Sequence, residues 1–313
     1  MNGSPWTASS PCTSACVTDD SPGTPAGRAE TARRYAAFVA TLAGAAAAGK
    51  RLGAADELQR RAGSLLADLG VSLVCEADGL SVPGARTGTL IVANHISWLD
   101  ALALLAVEPA TLLAKREVGQ WPMVGTLVRR AGTRFIDRGD PRGLPDTVRE
   151  LGALLRAGES VVVFPEGTTW CSVPGGPFRR AAFQAALDAG APVRPVTLTY
   201  ARHGAPTALP AFVGESTFAA SMYRVAAARG ISVRITPHPA LRPAGHDRRS
   251  LAALAHAAVS GTGTPAPLPH AVPDYAEGAR GQGARGQGAR GQGARGQGAR
   301  GLLHRPPHAG IAR

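Results

Sequence analysis

No stretch of about 20 apolar residues, the length a helix needs to cross the hydrocarbon core of a bilayer, occurs in this 313-residue chain. A multi-span membrane protein is thereby excluded. Cysteine is scarce: Cys12, Cys16, Cys75 and Cys171 are too few and too scattered for a disulfide scaffold, and they lack zinc-ligand company in the sequence. Cys12 and Cys16 stand in a leader rich in Ser, Thr and Pro and read as exposed thiols rather than a lipid or metal attachment point. This cysteine usage fits a reducing compartment. Aromatic residues make up only 5% of the chain. The first apolar stretch begins at Tyr35, after Asp19, Asp20 and Glu30, so a signal peptide is not expected. Acidic residues are the minority charge, 22 against 34 Lys and Arg, which leaves a net +12.

An apolar fraction of 44% is ordinary for a chain with a packed core, and the length suits one large domain or two small ones. Four segments differ in character. Residues 1–27 bury too little to fold and are expected to be disordered. Residues 28–70 read as helical; within them an uncharged, Ala-rich run at 35–49 is bracketed by Arg33 and Arg34 on one side and by Lys50 and Arg51 on the other. It is too short to span a bilayer, but its flanking charges suit a helix lying in an anionic membrane surface; the alternative is a buried Ala-rich helix. From residue 71 to 260, short β-branched runs at 71–74, 89–93, 111–114, 133–136, 160–164 and 193–200 alternate with helical stretches at 98–107, 145–156 and 179–189. A late strand at 231–236 and a closing helix at 247–259 complete the segment. This alternation predicts an α/β fold with a mainly parallel sheet flanked by helices. Residues 261–313 hold a five-residue Gly-Ala-Arg-Gly-Gln repeat that cannot bury a core and is expected to be disordered. Its Arg280, Arg285, Arg290, Arg295 and Arg300 carry five of the twelve net charges, so the rest of the chain is basic as well.

Two phosphate-loop patterns are decoys. Gly281–Gly286 spells G-x-G-x-x-G without the strand and helix that would bring a pyrophosphate to a helix N-terminus. Residues 44–50 spell G-x-x-x-x-G-K, yet Arg51 stands where a Ser or Thr must hold magnesium.

The informative residues sit at strand ends, where open α/β sheets place their ligands. Directly after the apolar strand ending at Ala93 comes Asn94-His95-Ile96-Ser97-Trp98-Leu99-Asp100. His95 can take a proton near neutral pH, and Asp100 can fix its tautomer and support the imidazolium. Five residues are about 140° around a regular helix, so the two meet only if His95 lies in the turn and the helix starts near Ser97. Ser97-x-x-Asp100 is also a capping-box pattern, in which Asp100 would serve the helix alone. Arg138, at the end of Phe135-Ile136-Asp137-Arg138, can hold a phosphate bidentately or pair with Asp137 or Asp140. Glu166, in Phe164-Pro165-Glu166-Gly167-Thr168, falls on the same rim or is a solvated loop carboxylate, with Gly167 free for unusual dihedrals. Val193-Arg194-Pro195-Val196 reads as a strand whose proline suits an edge or an irregularity.

His-x4-Asp, Phe-Ile-Asp-Arg, Phe-Pro-Glu-Gly-Thr and Val-x-Pro-Val, in that order over residues 88–200, resemble the glycerolipid acyltransferases typified by 1-acylglycerol-3-phosphate O-acyltransferase. The resemblance implies transfer of a fatty acyl group from a thioester, on coenzyme A or acyl carrier protein, to the sn-2 hydroxyl of a lysophospholipid, giving phosphatidic acid. It implies His95 as general base with Asp100 as its partner. Arg138, Glu166, Gly167 and Thr168 would belong to the acceptor's phosphoglycerol site, with Lys115, in Ala-Lys-Arg-Glu, near the phosphate. Thr169-Trp170 departs from the residues many relatives carry after Glu-Gly-Thr, which leaves another acceptor, such as a lyso-ornithine lipid, as an alternative. No acyl-enzyme is implied, since no Gly-x-Ser-x-Gly elbow occurs and no cysteine adjoins His95. Neither metal nor cofactor is expected, because seven of the eight histidines lie beyond residue 200 without ligand spacing. The basic balance suits anionic lipid and thioester carriers at the cytoplasmic face of a membrane. The distant alternative is a non-catalytic nucleic-acid binder using the Arg/Gly tail; the tail lacks interleaved aromatics, and no nucleic acid is expected as partner.

Overall fold

The alternation from residue 71 onward becomes one eight-stranded sheet: β1 (Val71–Cys75), β2 (Leu90–Ala93), β3 (Thr111–Lys115), β4 (Arg134–Ile136), β5 (Val161–Val163), β6 (Val193–Arg202), β7 (Ala205–Pro206) and β8 (Ile231–Pro237). The computed structural model describes residues 8–17, 24–120, 124–137 and 141–261. Of its two units, Met1–Pro273 and Asp274–Arg313, the second lies outside those residues, as does the repeat tail. The strands run in the order β1-β8-β6-β2-β5-β3-β4, with β7 paired to β6. Neighbours are parallel except where β6 meets β8 and β7. The α/β class and mainly parallel sheet read from the sequence are therefore present.

Helices α1 (Arg28–Ala47), α2 (Ala55–Asp68), α3 (Leu99–Val107), α4 (Val124–Arg130), α5 (Leu144–Arg156), α6 (Ala181–Ala189), α7 (Phe218–Ala227) and α8 (Arg248–Ser260) complete the chain. Because successive strand side chains point to opposite faces, each central strand feeds two cores. Ile91 and Ala93 join Leu66, Leu99, Leu104 and Val225 on one face, whereas Leu90 and Val92 join Leu151, Phe183 and Leu251 on the other. Burial on both faces is why β5 is three consecutive valines rather than an alternating strand. Gly190 adopts φ 64° and ends α6, and Asp247 caps α8 through a reciprocal box with Ser250.

Several readings need correction. Of the two settings expected for Pro195, the edge is excluded, since β6 is an interior strand. Pro195 pairs with Val92 on one side but precedes Val196, where the ladder with β8 begins, so its missing N–H is not needed there. Helices α4, only seven residues long, and α7, whose Thr217 cap and amphipathic pattern were available, are additions to the expected elements. Residues 8–17, assigned by composition to a disordered leader, are ordered: Ser14–Cys16 forms a 3-10 turn, and Cys12 and Val17 pack against the first core. The Ala-rich run lies within α1 up to Ala47, and α1 packs on α2 and α7 with Phe38 buried. Arg34, expected among the membrane-facing cations, instead pairs with Glu30 and donates to the carbonyl of Ala228. Among the described residues no helix is long and apolar enough to cross a membrane.

Phe183 is wholly enclosed in the second core, far in sequence from His95 and Asp100. Phe183→Ala should lower the unfolding free energy by about 3–5 kcal/mol, read by urea denaturation, with little effect on cavity-lining residues.

Candidate active site

Parallel β2, β3 and β5 bring the chain segments that follow them to one rim of the sheet. After β2 the strand pairing is continued by a side chain. The Asn94 amide donates to the Leu198 carbonyl at 3.0 Å, and the Leu198 N–H donates to Asn94 Oδ1 at 2.8 Å. The backbone is thereby released from the sheet without leaving β6 unpaired, and it turns into α3.

Asp100, wholly buried, organises that turn. Its Oδ2 accepts the N–H of Ile96 at 2.7 Å and of Ser97 at 2.8 Å, and it lies 2.8 Å from His95 Nδ1. Its Oδ1 accepts the Tyr200 hydroxyl at 2.7 Å. Asp100 thus touches both the His95 ring and the Ser97 N–H, although the N-cap of α3 is Trp98, without a side-chain cap. The helix begins at Leu99, slightly later than Ser97, whose Oγ accepts the Leu99 N–H at 3.3 Å. Four donors thus surround this one carboxylate and occupy both of its oxygens. Burial and the Asp100 charge push the Tyr200 hydroxyl well above its ordinary value, so it remains a donor. An acceptor-only carboxylate on Nδ1 requires the proton there, leaving the Nε2 lone pair exposed. Nε2 has no protein partner among the described residues. The imidazole stacks on Phe164, with centroids 4.1 Å apart and planes at 17°.

Glu166 is not the solvated loop carboxylate that its sequence neighbours allow. It is 5% exposed, and its Oε2 accepts the His95 backbone N–H at 2.7 Å. Trp170 N–H in turn donates to the His95 carbonyl at 2.8 Å, so the loop after β5 grips His95 by both backbone groups. Burial raises the Glu166 carboxyl from 4.5 to about 8; the His95 N–H opposes this, and the nearby Asp100 and Cys12 charges add to it.

A cavity of about 780 Å³ opens beside this constellation. His95, Lys115, Gly167 and Thr168 line it, whereas Asp100 and Glu166 stand behind its wall. Lys115 pairs with Glu117 at 3.2 Å, both half exposed. Gly167 adopts φ 77°, a conformation open to glycine. Arg138 lies outside the described residues. Away from the rim the cavity is apolar, walled by Leu65, Leu102, Leu105, Leu112, Leu127 and Val128, and Ala8, Ser9, Ser10 and Cys12 close one side. Sequence reasoning missed Tyr200 and the residues of the leader. The only available signal for Tyr200 was its place on an apolar strand, and a hundred residues separate it from Asp100.

A family model described as Acyltransferase matches residues 78–199. A lyso-ornithine lipid O-acyltransferase of Pseudomonas aeruginosa is 38% identical over 176 residues, which cover 56% of this chain and 67% of that one. The chain belongs to the glycerolipid acyltransferase family. A 1-acyl-sn-glycerol-3-phosphate acyltransferase of Neisseria meningitidis serogroup B is 37% identical over 160 residues, 50% of this chain. The match covers 62% of that relative's length, and the same share of its counterpart from Neisseria gonorrhoeae. The crystal structure of the 1-acyl-sn-glycerophosphate acyltransferase PlsC of Thermotoga maritima is similar at a TM-score of 0.49 and 17% identity, over 74% of this chain and 95% of that one.

A glutamate whose carboxyl is raised from 4.5 to about 8 binds its proton more readily in the folded chain than in the unfolded one. Its contribution to stability is therefore present below pH 4.5 and is lost as pH rises toward 8. At full size the loss is on the order of 5 kcal/mol. Urea unfolding from pH 5 to 8 should show wild-type stability falling more steeply than that of Glu166→Gln, whose amide oxygen can still accept the His95 N–H.

Proposed function

We propose that this acyltransferase moves a fatty acyl group from a thioester to the sn-2 hydroxyl of 1-acyl-sn-glycerol 3-phosphate, giving phosphatidic acid, with His95 as general base. The observation that carries this reading is the 2.8 Å contact between His95 Nδ1 and a carboxylate held by three further donors. That contact leaves Nε2 as the basic atom on the wall of a cavity that is otherwise mostly apolar. Nε2 takes the hydroxyl proton as the oxygen attacks the thioester carbonyl, Asp100 stabilises the imidazolium, and collapse of the tetrahedral intermediate expels the thiolate, which recovers the proton. General-base assistance of this kind contributes about 10²–10⁴ in rate.

The oxyanion needs donors. The N–H groups of His95, Ile96 and Ser97 are committed to carboxylates, and that of Gly167 donates to Phe164 at 3.1 Å. The turn after Asn94 and Gly167 itself are therefore set aside, and the N–H groups of Thr168 and Thr169 take the role. Lys115 faces the acceptor phosphate from the cavity rim, with Arg138 as a further phosphate ligand. Glu166 acts on His95 rather than on the acceptor. The apolar depth between α2, α3 and α4 takes an acyl chain. Acyl coenzyme A or acyl carrier protein serves as donor; catalysis requires no cofactor or metal.

The enzyme works peripherally at the cytoplasmic face of the membrane. Tyr35, Val39 and Tyr223 are exposed on α1 and α7, which pack together, and Arg33, Lys50 and Arg51 are exposed near them in the chain. Exposed aromatic and basic side chains suit an anionic lipid surface. A lyso-ornithine lipid is the second acceptor, favoured by the Pseudomonas aeruginosa relative, which is as similar as the Neisseria proteins and matches over more residues.

Full-length protein assayed with an acyl thioester against lysophosphatidic acid and lyso-ornithine lipid should turn over the first faster. His95→Ala should lose about 10²-fold or more in turnover while remaining folded, as urea unfolding checks. Equal turnover by the two proteins would refute the general base, and a preference for the second acceptor would replace the first. Ala101 lines the cavity on α3. Ala101→Phe should shift the accepted acyl chain toward shorter lengths, read by competing thioesters of graded length.

A further inference from the structure

The leader does more than close one side of the cavity; it carries sulfur to a third cysteine. The Ser14–Cys16 turn, closed by the Cys16 N–H donating to Thr13 at 3.0 Å, folds Cys16 back toward Cys12. Cys171 arrives from the loop after β5, 159 residues along the chain, with its Sγ 3.2 Å from Cys12 Sγ. Its N–H also points at Cys12 Sγ, at 3.4 Å. The three sulfurs lie within 4.8 Å of one another, and all three residues are partly buried. This corrects the reading of Cys12 and Cys16 as exposed thiols without ligand company: the company is Cys171.

We propose that Cys12, Cys16 and Cys171 form a trithiolate site for a thiophilic divalent ion, zinc foremost, which pins residues 8–17 across one side of the cavity. Tetrahedral thiolates about 2.3 Å from zinc lie roughly 3.8 Å apart, so the observed cluster needs adjustments of ångström size or less to close on an ion. A Cys-x3-Cys pair plus a distant third cysteine is a spacing zinc uses. The number of sulfurs distinguishes this site from a disulfide, which would join Cys12 to Cys171 and leave Cys16 over. Three thiolates this close repel one another, and a dication offsets that repulsion. On binding, each thiol gives up its proton to solvent and each sulfur donates a lone pair to the ion, leaving a fourth position for water or an external ligand.

The site is coupled to the rim by two short links. Cys171 follows Trp170, whose N–H holds the His95 carbonyl. Ala8 packs where a side chain on Gly167 would lie, and the backbone of Thr13 and Ser14 packs against Gly214 in the same way. An ion that fixes Cys12 and Cys16 to Cys171 therefore fixes the wall formed by Ala8, Ser9 and Ser10. This inference concerns the leader and does not rest on the acyl-transfer reading.

The test uses the full chain, purified anaerobically with reductant and stripped with a chelator. Titration with Cd2+, a zinc surrogate with a thiolate-to-metal charge-transfer band, should saturate at one ion per chain, and Zn2+ should displace it. Cys12→Ser, Cys16→Ser and Cys171→Ser should each abolish stoichiometric binding, whereas Cys75→Ser should retain it. Urea unfolding of each variant verifies that the domain is folded. Bound Zn2+ should slow proteolytic cleavage in the leader by about tenfold or more, as expected when opening becomes unfavourable by over 1 kcal/mol. Binding that survives replacement of all three cysteines, absence of binding by the folded wild type, or a Cys12–Cys171 disulfide in the anaerobic protein would each overturn the proposal.

Discussion

A buried negative charge must be met by donors or it is expelled or neutralised. In this protein that requirement falls on Asp100, and much of the site's geometry follows from how it is met. Two backbone N–H groups, one tyrosine hydroxyl and one imidazole N–H converge on its two oxygens. Two of these donors shape the turn between β2 and α3, one ties that turn to β6, and one fixes the orientation of His95. One carboxylate oxygen thus both shapes the turn before the helix and faces the imidazole.

Glu166 is held differently, and the contrast explains their separate parts. It accepts one backbone N–H, and its carboxyl is raised to about 8, first by burial. Asp100 meets four donors, whereas Glu166 meets one backbone N–H in a buried setting. Both lie behind the cavity wall and act on the same residue, one through the ring and one through the backbone. Trp170 grips the His95 carbonyl from the same loop. His95 is thus fixed on several sides before any substrate arrives, which is the condition for electrostatic preorganisation.

The sheet was legible because its signals are local. Apolar runs of strand length, Gly190 after a helical stretch and Asp247 before one are each decided within a few residues. The His95–Asp100 pair was legible for the same reason: a strand end and a five-residue offset specify it. Ser97 marked the helix start within two residues. What remained hidden depended on long separations. Tyr200 reaches Asp100 across a hundred residues, and Cys171 reaches Cys12 across 159. Glu166 looked solvated because Pro, Gly and Thr surround it in sequence, yet packing against His95 and Gly175 buries it. Helix α4, seven residues long, is too short to show a period, whereas α7 carries an amphipathic pattern and a Thr217 cap that could have been read. Composition placed the leader among unfolded segments because ten residues carry little hydrophobic signal of their own, even when a neighbour supplies the surface they need.

The reactive rim and the greasy depth beside it are built by different parts of the chain. Strand termini set the first, while side chains projecting from α2, α3 and α4 set the second. Substitutions that lengthen, shorten or bend the slot can accumulate on helices without disturbing the imidazole or its carboxylate. A lineage with this architecture is therefore free to reshape the slot for hydrocarbon of another length or bend while the His95–Asp100 pair stays fixed.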